Sequence, residues 1–169
     1  MPLHSNISKS HTREIFSPDH GLRPSNRYLT ELNNGDGDYC VMHCLLPPGI
    51  VVPLHSHSDR ETFYVISGTP DAYLGDHWEM LGPGDVFDAR DGLKHAWRNS
   101  SGADAAMLCV TTMRLGRFLR DISIDGEQTD RLAHAEHFLK LVHEYGYWLA
   151  NPQENAAIGL GVNWDMPKQ

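Results

Sequence analysis

Between residues 27 and 113, glycine, proline and aspartate cut the chain into short runs, too brief for helices and bounded by residues that make turns. The runs are Arg27 to Leu32, Tyr39 to Leu46, Ile50 to His57, Thr62 to Ser67, Asp71 to Leu74, Trp78 to Met80, Val86 to Ala89, His95 to Asn99 and Ala105 to Met113. Short strands with no helix between them can bury their apolar faces only by closing on one another, as a sandwich or barrel. The pattern predicts an all-β core.

After the core the period changes. Leu132, Ala135, Leu139 and Val142 recur at three and four, and Gly146 follows as a stop, so a C-terminal amphipathic helix is expected from Asp130 to Tyr145. Residues 1–25 show neither periodicity and are interrupted by Pro2, Pro18 and Pro24. The tail from Asn151 is assigned no regular structure. The expected division is an N-terminal arm (1–25), a β-barrel domain (26–115), and a C-terminal helix and tail packed on the barrel (116–169).

At 169 residues there is material for one domain with a core of its own. Fourteen basic against twenty-two acidic side chains give a formal charge of −8, which repels nucleic acid and anionic lipid. No apolar run is long enough to span a bilayer, and the first 25 residues lack the apolar stretch of an export signal, so a cytoplasmic location is expected. Cys40, Cys44 and Cys109 sit inside apolar runs and read as small core residues; Cys40 and Cys44 are too far apart along one strand to bridge, while a bond from Cys109 to either stays open.

The chemistry concentrates between Gly49 and Gly68. In an extended strand alternate side chains share a face, so His55 and His57 project together with Cα atoms about 6 to 7 Å apart. Two imidazoles on one face can share an ion. With a carboxylate they suit divalent iron, manganese, nickel, zinc or copper, whereas magnesium and calcium call for oxygen donors.

Gly49, His55, His57, Glu61 and Gly68 have the spacing of the first cupin motif. Gly84, Gly92, His95 and Asn99 match the second, with Arg90 where the family usually has proline. The chain therefore resembles the cupins, a family of small jelly-roll barrels. The resemblance implies a single jelly-roll β-barrel in which His55, His57, Glu61 and His95 ligate one divalent transition metal ion and leave coordination positions open to a substrate.

Phe63 to Gly68, Leu81 to Asn99 and Tyr145-Gly146-Tyr147 resemble the quercetin dioxygenase-like members of that family. This implies a metal-dependent dioxygenase acting on a small organic molecule, with Glu61 as its base. The alternatives are a non-redox isomerase or lyase and a metal-containing binding protein. A homodimer is common in similar proteins and is expected here. For the substrate pocket, strand parity offers Phe63 and Val65 beside Glu61, and Trp97 beside His95; these either line a pocket or fill the barrel. His43 joins them if its strand turns that face inward. The C-terminal histidines His134, His137 and His143 read as a solvated helix face.

Overall fold

The computed structural model describes residues 15–16, 24–33, 35, 37–90, 92–123 and 131–161, with 15–16 and 131–134 described by backbone alone. In chain order the elements are β1 (Ile15–Phe16), β2 (Ser25–Tyr28), β3 (Tyr39–Leu46), β4 (Val51–Ser56), β5 (Glu61–Ser67), β6 (Asp71–Leu74) and β7 (Trp78–Met80). There follow β8 (Val86–Ala89), β9 (His95–Arg98), β10 (Ala105–Thr112), α1 (Met113–Ile122), α2 (Arg131–Glu144), β11 (Trp148–Leu149) and α3 (Pro152–Ala157). Two antiparallel sheets result, one in the order β1-β2-β3-β10-β5-β8 and the other β11-β4-β9-β6-β7. From β3 to β10 the chain passes back and forth between them, which is the jelly-roll arrangement.

Alternation along each strand builds the core between the sheets. Cys40, Met42, Cys44 and Leu46 on β3 face inward and are buried, as are Phe63 and Val65 on β5, Phe87 on β8, Trp97 on β9, and Met107 and Cys109 on β10. All three cysteines are buried and free. The opposite parity of β3 carries Tyr39, Val41 and His43 to the outer face. There His43 pairs with Arg27 on one side and Leu108 on the other, and the same row continues through Tyr64 to Val86. His43 therefore does not reach the barrel interior, and its expected place in a substrate pocket is corrected. Its strand is in register with inward-facing Met42 and Cys44, which fixes it outward.

Four elements lie outside the expected set. Within the stretch read as an arm, Ile15–Phe16 pairs with Asn26 and Arg27 as a short strand; residues 1–14 and 17–23 lie outside the described residues. α1 begins where β10 ends, with the Thr112 hydroxyl accepting from Leu115 N. It presses Leu115 and Phe118 against Leu141 and Val142 of α2. Its close seat on β3 requires Gly116, because a Cβ there would stand 2.8 Å from Cys40 Sγ and 2.9 Å from Leu32 Cδ2. α2 matches the expected C-terminal helix, and the expected start at Asp130 lies outside the described residues.

The end of α2 is a Schellman turn: Tyr147 N donates to Val142 O, Gly146 N donates to His143 O, and Gly146 has φ of +64°. This turn sends the chain back toward the barrel. β11 then pairs with β4, Leu149 opposite His55 and Trp148 opposite Ser56. α3 follows, started by a capping box between Asn151 and Glu154 with a proline in its first turn. No helix among the described residues is long and apolar enough to cross a membrane.

Candidate metal centre

The two histidines of the first motif reach the interior through an irregularity in β4. Val52 pairs with Trp97 and His55 pairs with His95, so three steps on β4 oppose two on β9. That is a β-bulge, and it changes the strand's parity. Val51 packs in the outer cluster with Leu54, and Val52 packs in the core between the sheets. Strict alternation from Val51 would leave His55 and His57 outside; the extra residue turns them in. Pro53, which has no N–H for the ladder, sits at the irregularity.

With that correction of parity, four side chains from three strands and a turn converge. His55 lies on β4, His57 one residue past its end, Glu61 opens β5 and His95 opens β9. One ligand atom from each lies within 4.8 Å of all the others. His57, Glu61 and His95 are buried, while His55 keeps partial exposure.

Each imidazole is oriented by a backbone carbonyl. His55 Nδ1 donates to Pro53 O at 2.7 Å, His57 Nδ1 to Asp59 O at 2.9 Å, and His95 Nδ1 to Leu93 O at 2.8 Å. A carbonyl can only accept, so in the neutral rings the proton is on Nδ1 and each Nε2 presents a lone pair. These Nε2 atoms meet a carboxylate: Glu61 Oε2 is 3.3 Å from that of His57 and 3.1 Å from that of His95. The Nε2 of His57 is buried without a hydrogen-bond partner among the described residues. Acceptors facing acceptors in a buried space call for a cation or a proton between them.

The titration tendencies follow from the same geometry. Burial pushes the His55 imidazole down to about 3, aided by the neighbouring His95. Burial alone would lower His57 and raise Glu61, but the close approach of the imidazole and the carboxylate, which favours the charged form of each, reverses both directions. His57 is raised, and Glu61 is held well below the usual carboxylate range with help from His95. Three nitrogens and one carboxylate oxygen are the donor chemistry of a divalent transition metal, and the orphaned His57 Nε2 shows that the residues present fit such an ion.

Beside the cluster the interior is aromatic. Phe63 and Phe87 each stand 4.9 Å from Trp97, and Phe87 lies 5.8 Å from the His95 ring. Phe63, Val65 and Trp97 all face inward, as parity indicated. They pack with Phe87 as part of the barrel core.

Sequence reasoning missed the residues that support His57. Asp59, between the second histidine and the glutamate, is buried, and its carboxylate collects three donors. These are Thr112 Oγ1 at 2.5 Å, Arg114 Nη1 at 2.7 Å and the Tyr147 hydroxyl at 2.6 Å. The Tyr147 ring also lies 5.2 Å from the His57 ring. Asp59 was legible only as a residue inside the motif. Its partners come from elements far along the chain.

Residues 42–111 match the cupin domain family. The polyketide cyclase RemF from Streptomyces resistomycificus is 19% identical, with a TM-score of 0.57 over 65% of this chain and 80% of that one. KdgF from Halomonas sp. is 17% identical, with a TM-score of 0.55 over 64% of this chain and 94% of that one. A conserved protein with a double-stranded β-helix domain from Klebsiella pneumoniae subsp. pneumoniae is 25% identical, with a TM-score of 0.51 over 64% and 90%. RemF and KdgF share the fold with this chain. No curated protein matches the sequence.

Proposed function

We propose, from the match of residues 42–111 to the cupin domain family, that the chain is a metal-dependent cupin enzyme acting on a small organic molecule, with dioxygenase chemistry at a three-histidine, one-glutamate centre. The observation that carries the reading is the convergence of His55, His57, Glu61 and His95, with every imidazole fixed through Nδ1 so that Nε2 is free for a metal. Four protein donors leave room on an ion that prefers six, and open positions distinguish a catalytic from a structural centre. A divalent iron, manganese, nickel or copper ion held there supplies Lewis acidity toward an enol or phenol oxygen together with redox chemistry. The carbonyls of Pro53, Asp59 and Leu93 hold each imidazole by its Nδ1 and keep Nε2 aimed at the cluster. Phe63, Phe87 and Trp97 exclude water from the inner side. Glu61 acts as the base for the substrate hydroxyl only after its carboxylate leaves His57 and His95, since between them its proton affinity is held low.

An oxygen-electrode screen of enols and phenols, using protein reconstituted with each metal in turn, tests this reading. Oxygen uptake in step with substrate loss is the expected result. Equal turnover under strict anaerobiosis, or with redox-inert zinc, overturns the dioxygenase assignment and favours isomerase or lyase chemistry at the same residues.

A further inference from the structure

The segment after α2 holds both histidines of the first motif. Tyr147, delivered by the Schellman turn, donates its hydroxyl to the Asp59 carboxylate, and the backbone carbonyl of that same Asp59 accepts from His57 Nδ1. Thr112 and Arg114 grip the carboxylate from the start of α1, and Arg114 also reaches Tyr145 O. Side chain and carbonyl belong to one residue, so fixing the first orients the second.

Asn155, fully buried in α3, does the corresponding work at the bulge. Its Oδ1 accepts from Leu54 N at 2.9 Å, while its Nδ2 donates to Ala150 O and Asn151 O. Ala150 N in turn donates to Leu54 O. The backbone of Leu54, the residue that packs outward at the bulge, is thus anchored on both sides by the C-terminal segment. That anchorage keeps the register in which His55 faces inward.

We propose that Tyr147 and Asn155 are positioning residues for the metal centre, acting on His57 through Asp59 and on His55 through Leu54. The inference rests on the four-ligand reading and adds that the C-terminal segment sets the metal affinity. Removing the Tyr147 hydroxyl leaves its ring against His57 and Phe118 but takes one of three donors from Asp59. The carbonyl that fixes the His57 tautomer is then less firmly held. Removing the Asn155 amide strands a buried Leu54 N–H, and the bulge can satisfy it only by relaxing away from the geometry that aims His55.

Titration of the full chain with Co2+, followed by its visible d–d bands, tests the proposal. Tyr147→Phe and Asn155→Ala are expected to weaken Co2+ binding by roughly tenfold to a hundredfold and to shift the bands. Gly49→Ala, which puts a Cβ at a backbone φ of +78° with nothing within 4 Å of it, is expected to lower the unfolding temperature while leaving affinity and bands unchanged. Parent-like affinity and spectra in both Tyr147→Phe and Asn155→Ala overturn the positioning role. A parent chain that takes up no Co2+ overturns the four-ligand reading beneath it, a different failure.

Discussion

His95 Nε2 and Glu61 Oε2 meet at 3.1 Å, and because His95 Nδ1 is committed to Leu93 O, both atoms bring lone pairs to the contact in the neutral ring. The same holds for His57 and Glu61 at 3.3 Å. Such a cluster is stable only with something positive in its middle. Without metal that is a proton, consistent with the raised proton affinity of His57. With metal the proton must leave.

Adding Zn2+ or Co2+ to metal-free protein in weak buffer near neutral pH is therefore expected to release protons, about one per ion bound. Affinity should fall as the pH is lowered from 8 to 6. A pH indicator and a competing chelator measure the two quantities. No proton release, together with flat affinity across that range, contradicts the lone-pair arrangement.

His55 gives a second pH dependence in the metal-free chain. Its folded proton affinity is depressed to about 3 from an ordinary value of 6.5. Between these values the unfolded chain binds a proton that the folded chain refuses, so stability rises with pH in that window and is lost on acidification. Glu61, also depressed, acts in the same direction at the acid end. His57, being raised, opposes them above 6.5. The unfolding temperature of metal-free protein is expected to drop as pH falls from 6.5 toward 4, and His55→Gln should flatten that slope. An unchanged slope in the variant would show that His55 is not buried neutral.

Gly68 closes the first motif for a steric reason. Its φ is +80°, and an added Cβ would lie 2.6 Å from both Ala105 Cα and Asp104 O, atoms of the backbone that cannot swing aside. Gly68→Ala is expected to cost roughly 3 kcal/mol or more, from left-handed backbone strain plus overlap. Gly49→Ala, with positive φ but open space around it, should cost less, about 1 kcal/mol. Denaturant unfolding of the two variants gives the comparison, and equal losses would contradict it.

Much of this was legible in the sequence because strands and turns are local. Tyr39 to Leu46, Asp71 to Leu74, Trp78 to Met80 and Val86 to Ala89 were read with the bounds the structure has. The four clustered side chains were named from motif spacing. Strand alternation puts His55 and His57 on a common face but does not say which face that is. That depends on the bulge at Pro53 and Leu54, which takes a partner strand to reveal. The helix Met113–Ile122 was hidden because Met113 reads as the last residue of the strand before it, and the Thr112 cap marks the change. The supporting roles of Tyr147, Asp59 and Asn155 were not legible, because they are contacts between segments 88 and 101 residues apart.

His55, His57, Glu61 and His95 are expected to hold one ion between them. Metal analysis of protein purified from its native host, alongside a His55→Ala, His57→Ala double variant prepared in the same way, checks this. About one divalent transition metal ion per parent chain, with loss of that stoichiometric metal from a still-folded variant, is the predicted result. A metal-free parent that cannot be reconstituted, or a double variant that keeps its full complement, would contradict it.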